Sequence, residues 1–495
     1  MSGMTELNDL RLLVKSKSPI ITIETHEENR ALELVTQLAI HFNKPVFGWD
    51  RVDGITRVDL AHDLAEIEDS KEPIQALKHI KSVQRPGIFI LCDFHPYFEN
   101  EPKVVRLIKE IAIDYHLRSH TLIFVSHKIE LPAEVKRFSA KFQLALPTET
   151  QLEKLVREEA NVWSKAHHGQ KVKTDSETLK KLVRNLKGMT FADARTLIRN
   201  VISDGAITEE ELPQVNRAKF ELLDMDGVLS FEYETSKFSE VGGLANLKRW
   251  LKQRKAVFLD QNIPLDPPKG LMLLGIQGGG KSLAAKAVAG MWGLALLRLD
   301  FGTLYNKYHG ETEKNLRESL KMAELMAPCV LWLDEVEKGL SSGESDGGTS
   351  QRLLATLLTW MAENTHQVFI VATANDISKL PPELMRKGRL DEIFFVDLPD
   401  HEARQAIFKI HLARRKQKTA SFDLSALADA SEGFTGSEIE QGVVSALYHA
   451  YGSGGVMNTD SVVETLNQTK PISIVMAEKV QALRDWAKER TVSAN

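Results

Sequence analysis

The chain has 495 residues, of which 43% are hydrophobic and 26% are charged, and its formal net charge is −5. This length exceeds what one hydrophobic core supports and suggests about two to four domains. The small negative charge excludes a global basic field that would attract nucleic acid or anionic membranes.

The sequence predicts neither export nor membrane insertion. The N-terminal segment MSGMTELNDLRLLVKSK lacks the apolar core of a secretory signal. No apolar stretch reaches the ~20 residues of a transmembrane helix. Cys92 and Cys329 lie in apolar runs that are typical of buried strands, which fits a reducing compartment. We therefore expect a cytoplasmic protein without membrane insertion.

Residues 1–225 form a first predicted region, in which strands alternate with helices but no phosphate-binding loop follows a strand. Strand PIITIET (19–25) leads into the helical segment HEENRALELV, which has neither a glycine loop nor a lysine. Glu24, Glu27 and Glu28 would repel a phosphate group there. We therefore expect a structural or partner-docking domain that binds no nucleotide.

The first region also repeats the order of elements in the second half of the chain. Residues 121–147 and 368–399 both read as strand, polar tip, Leu-Pro, helix, strand and Leu-Pro. Aligning GIFILCDF with PCVLWLDE places Asp93 opposite Asp334 and leaves Phe94 where the next acidic residue would stand. The pattern favours an internal repeat, with a convergent α/β domain as the alternative.

A glycine-rich loop follows a short apolar strand in the second half. Gly275, Gly280, Lys281 and Ser282 match the pattern G-x-x-x-x-G-K-[ST], and an alanine-rich helix follows. Glycines let several backbone N–H groups face one anion, the lysine can reach the β- and γ-phosphates, and the serine hydroxyl can ligate Mg²⁺. A flexible turn is the alternative. The loop predicts a site for ATP and Mg²⁺ formed by Gly275, Ile276, Gln277, Gly278, Gly279, Gly280, Lys281, Ser282 and Leu283.

Two further apolar strands end in polar residues that suit phosphoryl transfer. CVLWLDEVEKGL (329–340) contains Asp334, which can hold Mg²⁺ through its water shell, and Glu335, which can deprotonate an attacking water. VFIVATAN ends in Asn375, whose amide can contact the γ-phosphate or that water. A helix cap or an Asx-turn is the alternative role of this asparagine. In a parallel α/β sheet these strand ends would lie beside the phosphate loop.

The order of these parts resembles the AAA+ ATPases over about residues 238–451. FSEVGGLANLKRWL is similar to the opening segment of such modules, and GFTGSEIEQGVVSAL is similar to the start of their lid helix. The resemblance implies an α/β P-loop module with a parallel sheet and a helical lid, preceded by a degenerate AAA-like α/β domain. It also implies that the adenine pocket is formed by Val241, Gly242, Gly243, Gly436 and Ser437.

Two other segments resemble parts of the family that act on substrates or between subunits. YNKYHGETEKNLRESL is similar to the pore loop, with Lys307, Tyr308 and His309 at its tip, and a structural turn tyrosine is the alternative. LPPELMRKGRLDEIFFVDLP is similar to the arginine-finger segment. It places Arg386 and Arg389 where guanidinium groups would reach the phosphates of a neighbouring subunit, and a solvated basic turn is the alternative.

More narrowly, GIQGGGKS and LTWMAEN together resemble the hypothetical chloroplast open reading frame forty-six family of AAA ATPases. Two features depart from the wider AAA+ pattern. The phosphate loop lacks the usual proline and ends in Ser282 instead of threonine. The segment LLTWMAENTHQ lacks the usual Asp-Gly-aromatic intersubunit signal, so that route of communication between subunits is not predicted.

The resemblance divides the chain into a degenerate N-terminal domain (1–225), a large ATPase subdomain (226–398) and a helical lid with a C-terminal helix (399–495). In the last segment, IVMAEKVQALRDWAKERT (474–491), Val480, Leu483 and Trp486 recur at helical intervals, so a C-terminal helix packed on the lid is expected there.

The resemblance also implies hydrolysis of ATP to ADP and phosphate by Lys281, Glu335, Asn375, Arg386 and Arg389. A homo-oligomer, expected to be a hexameric ring, would remodel or thread a macromolecular partner. Protein is favoured over nucleic acid as the partner, because no basic stripe with interleaved aromatic residues is present. The alternative is an ATP-gated switch or scaffold that docks partners through its N-terminal domain.

Overall fold

The computed structural model describes residues 2–59, 70–223, 228–233, 241–260, 263–306, 312–340, 349–377, 380–386 and 388–495. The chain divides into two compact units. The first comprises Met1–Thr148 with Thr190–Ala192, and the second comprises Glu149–Met189 with Asp193–Asn495. The helices between residues 149 and 223 therefore pack mainly with the C-terminal half, whereas the predicted first domain extends to residue 225.

The first unit is built on a six-stranded sheet. Its strands are β1 (Ile20–Glu24), β2 (Val46–Asp50), β3 (Gly54–Arg57), β4 (Ile88–Cys92), β5 (Thr121–Ser126) and β6 (Ser139–Phe142). The strand order is β3-β2-β4-β5-β1-β6, and the β2–β3 pair is antiparallel whereas the other pairs are parallel. Strands β4 and β5 are buried along their whole length, as the apolar sequence IFILC and the apolar run LIFV within TLIFVS predict for the centre of a parallel sheet.

Helices cover this first sheet. They are α1 (Ser2–Lys15), α2 (Glu28–Phe42), α3 (Pro73–Ser82), α4 (Tyr97–Asn100), α5 (Pro102–Ile113), α6 (Tyr115–Arg118) and α7 (Ala133–Lys136). Two separate apolar clusters form the core, one containing Phe124 and the other containing its chain neighbour Ile123. Because successive side chains of a strand point to opposite faces, the two clusters lie on the two sides of the sheet.

Four helices follow in the chain: α8 (Glu149–Ala166), α9 (Ser176–Leu186), α10 (Phe191–Val201) and α11 (Leu212–Leu223). The turn after α9 contacts helix α15 (Thr312–Met326) of the second unit. Gly188 in this turn has a φ of 85°, and a Cβ there would lie 2.7 Å from the carbonyl oxygen of Leu325. The buried ammonium group of Lys219 on α11 donates to the carbonyl oxygen of Lys187 in the same turn. The turn therefore rests directly on the backbone of α15.

The second unit contains a seven-stranded sheet. Its strands are β7 (Leu229–Phe231), β8 (Gly270–Gly275), β9 (Ala295–Asp300), β10 (Cys329–Asp334), β11 (Val368–Ala374), β12 (Glu392–Val396) and β13 (Val492–Ser493). The order is β13-β12-β8-β11-β10-β9-β7, with only the β7–β9 pair antiparallel among the described strands. Besides α15, the helices of this part are α12 (Ala245–Leu259), α13 (Lys281–Trp292), α14 (Phe301–Asn306), α16 (Val336–Leu340) and α17 (Thr349–Glu363).

A helical subdomain follows β12. It contains α18 (His401–Arg414), α19 (Leu424–Ala430), α20 (Gly436–Gly452), α21 (Thr459–Asn467), α22 (Ile472–Val475) and α23 (Ala477–Ala487). Its own apolar core includes Phe408, Leu427 and Val443. The prediction that the last helix packs on this subdomain is wrong, because Ala487 belongs to the apolar core of the seven-stranded sheet and Leu483 and Trp486 pack against that core. No described helix is both long enough and apolar enough to cross a membrane.

Candidate functional site

The carboxyl ends of β8, β10 and β11 meet beside α13 because the three strands are neighbours in one parallel sheet. Together with α18 and α20 they border a cleft of about 480 Å³. The predicted residues that line it are Val241, Gly242, Gln277, Gly278, Gly279, Gly280, Lys281, Ser282, Leu283, Asp334, Glu335, Asn375, Gly436 and Ser437. The structure therefore brings the predicted loop, strand ends and lid segment together, with Gly243, Gly275 and Ile276 adjoining the lining in the chain.

The loop between β8 and α13 leaves backbone amides available at a helix start. Gly278 and Gly280 have φ values of 78° and 98°, which favour glycine. Gly280 precedes the first residue of α13, and no side chain caps this end of the helix. Uncapped amides at a helix N-terminus, together with the helix dipole, attract an anion. The geometry fits a phosphate group at the start of α13.

Lys281 is a buried cation whose hydrogen bonds go to neutral groups. Its side chain is 6% exposed, and its Nζ donates to the carbonyl oxygens of Gly275 and Ile276 at 2.8 Å each. Burial lowers the pKa of Lys281 to about 8, although the charges of Glu337 and Glu335 act in the opposite direction. An anion in the cleft would stabilise the charged form, so this side chain fits a phosphate ligand.

Asp334 at the end of β10 is held through both carboxylate oxygens. The Thr373 hydroxyl donates to its Oδ1 at 2.9 Å, and Arg298 on β9 donates to its Oδ2 at 2.7 Å. The same Thr373 hydroxyl accepts from the backbone N–H of Glu335 at 3.1 Å. The sequence analysis did not single out Thr373 or Arg298, although Thr373 is the polar residue of the apolar strand VFIVATA and Arg298 lies between two leucines in ALLRLD.

Glu335 follows β10 in a left-handed conformation with a φ of 50°. Its Oε1 accepts a hydrogen bond from the side-chain amide of Asn375 at 3.2 Å, and its Oε2 forms an ion pair with Lys338. A non-glycine residue in this conformation is uncommon and is often found at functional sites. The turn places the carboxylate of Glu335 against the polar tip of β11, at the edge of the cleft.

Glu337 is an acid beside the cleft that the sequence analysis did not single out. It is 5% exposed, and its Oε1 accepts from the backbone N–H of Asn375 at 2.9 Å. No atom of the described residues hydrogen-bonds its Oε2. Burial raises the pKa of Glu337 above the usual range of a glutamate. The alternation of acids in DEVE is a possible sequence signal, but only the fold shows that this carboxyl group supports Asn375 from below the cleft.

The lid contacts the phosphate loop directly. The backbone N–H and the hydroxyl of Ser437 both point to the carbonyl oxygen of Gly278, at 3.3 and 3.1 Å. Gly242 lies so close to α18 that a Cβ there would be 2.7 Å from Cγ1 of Ile407. Cleft-lining residues that were not predicted are Leu244, Thr373, Ile407, Ile410, His411, Arg414 and Glu440. The apolar members of this set give one wall of the cleft a surface that suits an aromatic base.

The two predicted arginine fingers lie outside the described lining of this cleft. Arg386 is exposed and follows the 3₁₀ turn Pro382–Met385, and Arg389 is partly exposed and donates to the carbonyl oxygen of Glu383. They precede β12 at the surface of the second unit. The predicted pore residues Lys307, Tyr308 and His309 lie outside the described residues.

The sheet of the first unit ends in a similar way, and its strand register agrees with the predicted alignment of Asp93 with Asp334. β4 begins with Ile88 opposite Thr121, as β10 begins with Cys329 opposite Val368. The Ser126 hydroxyl donates to Asp93 Oδ1 at 2.8 Å, as the Thr373 hydroxyl donates to Asp334 Oδ1 at 2.9 Å. The left-handed turn comes one residue earlier in the first unit, at Asp93 with a φ of 47°, than in the second, at Glu335 with a φ of 50°.

No loop comparable to 276–280 follows β1 in the first unit. Residues 25–27 alone connect β1 to α2, compared with residues 276–280 between β8 and α13. Glu24 at the end of β1 pairs with Lys141, and Glu27 accepts from Arg30 at 2.9 Å. This acidic, short connection has neither the glycines nor the lysine that a triphosphate requires.

Three family models match the chain. The SpoVK-like AAA ATPase N-terminal domain matches residues 6–144, and the SpoVK-like AAA ATPase second domain matches residues 150–226. The ATPase family associated with various cellular activities (AAA) matches residues 271–398. The first unit is thus similar to an AAA-associated N-terminal domain, and the phosphate loop and the strand ends of the cleft lie in the part that matches the AAA ATPase model.

Curated relatives match over nearly the whole length. The AAA domain-containing protein ycf46 of Trieres chinensis is 35% identical over 489 residues, which are 97% of this chain and 96% of the relative. The ycf46 protein of Pyropia yezoensis is 35% identical over 496 residues, 98% of each chain. The 26S proteasome subunit RPT4 of Saccharomyces cerevisiae is 36% identical over 232 residues, which are 45% of this chain and 53% of that subunit.

Proposed function

Since this chain belongs to the AAA ATPases, within the group of ycf46 proteins, we propose that it hydrolyses ATP to ADP and phosphate in the cleft beside α13. The contact between the Glu335 carboxylate and the Asn375 amide, at 3.2 Å and beside the phosphate loop, carries the proposal. It puts a proton acceptor and a polar positioning group next to the buried cation Lys281.

The residues of the cleft fit a magnesium nucleotide. The backbone amides at the start of α13 and the Lys281 ammonium group would bind the phosphates, while Ser282 and Asp334 would hold the ion. When bound, magnesium neutralises charge that develops on the β- and γ-phosphates. Arg298 donates to Asp334 Oδ2 in this structure, and a carboxylate oxygen can accept from Arg298 and from a metal-bound water at the same time. Val241, Gly242, Gly243, Gly436 and Ser437 would surround the adenine and ribose.

Glu335 would act as the general base. Its Oε1 would accept a proton from a water molecule that the Asn375 amide orients, while its Oε2 exchanges its contact with Lys338 for solvent. Glu335 adopts a left-handed conformation, and it lines the cleft. Asn375 is itself fixed from behind by Glu337 through its backbone N–H.

The Glu335→Gln variant tests the proposal, with Glu363→Gln as a matched control. Glu363 is an exposed glutamate on α17 outside the cleft. We expect Glu335→Gln to bind ATP but to lose hydrolysis by about 10²–10⁴-fold, since it keeps shape and loses the proton acceptor. Phosphate release with magnesium measures turnover, and analogue titration measures binding. Undiminished phosphate release by Glu335→Gln would remove Glu335 as the base.

Arg386 and Arg389 would complete the site of a neighbouring subunit. Both lie outside the cleft of their own chain, and a guanidinium group stabilises charge on a transferred phosphoryl group. Such a head-to-tail contact generates a closed ring when the rotation between subunits closes. A ring of six copies is what the family resemblance implies, and the mass of the ATP-bound Glu335→Gln protein in solution would test it.

We further propose that the ring remodels or threads a protein partner. Lys307, Tyr308 and His309 would contact that partner, as their place in the family pattern implies. Tyr308→Ala should then keep basal ATP turnover and lose partner-stimulated turnover. If Tyr308→Ala leaves stimulation by a captured partner unchanged, an ATP-gated switch or scaffold that docks partners through the first unit explains the protein better.

A further inference from the structure

A group of donor side chains lies at the carboxyl edge of the sheet in the first unit. Asp93 and His95 follow β4, and His127 follows β5, the strand next to it. One donor atom from each of the three lies within 4.8 Å of the others. We propose that these residues bind a divalent transition-metal ion, with zinc as the preferred ion.

The three donors require a small inward movement to share one ion. Zinc binds imidazole nitrogen and carboxylate oxygen at about 2.0–2.2 Å, so two ligands of a tetrahedral ion lie about 3.4 Å apart. In this structure the three donor atoms lie within 4.8 Å of one another. Asp93 and His127 are exposed, so their side chains can move inward by the remaining distance, up to about 1.4 Å, without disturbing the core.

Ser126 lies at the centre of the group and orders it. Its hydroxyl donates to Asp93 Oδ1 at 2.8 Å and lies 2.9 Å from His95 Nδ1 and 3.4 Å from His127 Nδ1. A hydroxyl has one proton, and Asp93 takes it, so His95 Nδ1 must carry a proton to donate to Ser126 Oγ. The lone pair of His95 is then on Nε2, where it can bind a metal. Such a hydrogen bond to the second ring nitrogen is the usual support of a metal-bound histidine.

The backbone and the neighbouring rings also hold the donors in place. Ser126 is the last residue of β5 and is 4% exposed, so the strand holds the hydroxyl at the centre of the donor group in place. Asp93 adopts a left-handed conformation, as Glu335 does in the second unit. The His127 ring stacks on His26 with centroids 6.0 Å apart and meets the His95 ring edge-on at 4.9 Å. These contacts limit the rotamers of both proposed histidine ligands.

The donor set decides the class of ion. Two imidazoles and one carboxylate suit zinc and other first-row transition metals, whereas magnesium prefers oxygen ligands and keeps its waters. Three protein ligands leave at least one position open for water or a substrate group, as in catalytic rather than structural zinc sites. The first unit would thus hold a metal ion, without any nucleotide, at the carboxyl edge of its own sheet. The nucleotide cleft of the second unit lies at the corresponding edge of the second sheet.

Titration of the chelator-stripped full-length chain with zinc chloride, without nucleotide, tests the site. We expect one zinc ion per chain, with affinity reduced at least tenfold in His127→Ala and in Asp93→Asn. Ser126→Ala should lose about 10–100-fold, because its hydroxyl orients the ligands without binding the ion. His116→Ala is the matched control, since His116 is an exposed histidine on α6, at the opposite edge of the sheet. The control is needed because the chain has 15 histidines, any of which can bind zinc weakly.

Two further measurements make the outcome decisive. Cobalt substituted for zinc should give visible absorption bands that disappear in His127→Ala, while circular dichroism shows that the variant remains folded. Lys281→Ala should keep full zinc stoichiometry, because its change lies in the other unit. Absence of saturable zinc binding, or an Asp93→Asn/His127→Ala double variant that binds as tightly as the parent chain, would overturn the proposal.

Discussion

Binding of ATP in the cleft should be coupled to uptake of a proton by Lys281. Burial lowers the pKa of its ammonium group to about 8, whereas bound phosphates would stabilise the charged form and raise the pKa. About half of the Lys281 side chains are then neutral at pH 8 and about one tenth at pH 7. We expect binding to take up about 0.5 proton per chain at pH 8 and about 0.1 at pH 7. The affinity should accordingly fall as the pH rises through and above 8.

Calorimetric titration with a non-hydrolysable ATP analogue measures this coupling. The observed enthalpy in two buffers of different ionisation enthalpy gives the number of protons taken up, at saturating magnesium and at each pH. Lys321→Met is the matched control, because Lys321 is an exposed lysine on α15 outside the cleft, and its uptake should equal that of the parent chain. Lys281→Arg keeps a charge that is never lost at these pH values, so its remaining binding should show no uptake.

The pH dependence separates this explanation from others. Uptake that is equal at pH 7 and pH 8, or that persists in Lys281→Arg, would refute the assignment of the proton to Lys281. Absence of uptake in the parent chain would show that Lys281 is fully charged before the nucleotide binds. In that case its burial and its bonds to loop carbonyl oxygens would have to be different in solution.

Three further changes test other contacts of the second unit. Thr373→Val removes the hydroxyl that donates to Asp334 and accepts from the backbone N–H of Glu335. Denaturant titration should therefore show a free energy of unfolding that is lower by about 1–3 kcal/mol, and ATP turnover should fall. Gly275→Ala would place a Cβ 2.1 Å from the Val396 carbonyl oxygen on the neighbouring strand β12. The same assay should show a free energy of unfolding that is lower by at least about 1–3 kcal/mol. Arg389→Ala should lower ATP turnover at protein concentrations at which the chain assembles, and it should leave binding of the ATP analogue by the dilute chain unchanged. An equal loss of turnover in dilute and assembled protein would exclude action across subunits.

The parts of the site that the sequence predicted are those whose chemistry is encoded locally. The phosphate loop is a continuous stretch, and Asp334 and Asn375 each end an apolar strand, so the rule for parallel sheets was enough to bring them together. The adjacent lid segment at Ser437 was expected from family resemblance, and the structure places it on the loop at Gly278.

The residues that were missed depend on which strands become neighbours. Arg298 reaches Asp334 because β9 pairs with β10, and Thr373 reaches it because β11 pairs on the other side. Glu337 supports Asn375 from a separate helix turn. Such partners are separated by about forty residues, a distance over which hydrophobic periodicity carries no information about contacts.

The same limit explains the unexpected place of the last helix. The apolar spacing of Val480, Leu483 and Trp486 correctly indicated a helix, yet it could not say that the large sheet, rather than the lid, offers the matching surface.

Helix α15 connects two regions that are far apart in sequence. It begins at Thr312, directly after the segment predicted to grip a partner, and it ends at Met326, where the turn at Gly188 rests on it. Its 15 residues span about 22 Å, and buried side chains occur from its first residue to its last. If the preceding segment contacts a partner as predicted, a force on that segment would reach the turn at Gly188 along this helix, without passing through the nucleotide cleft.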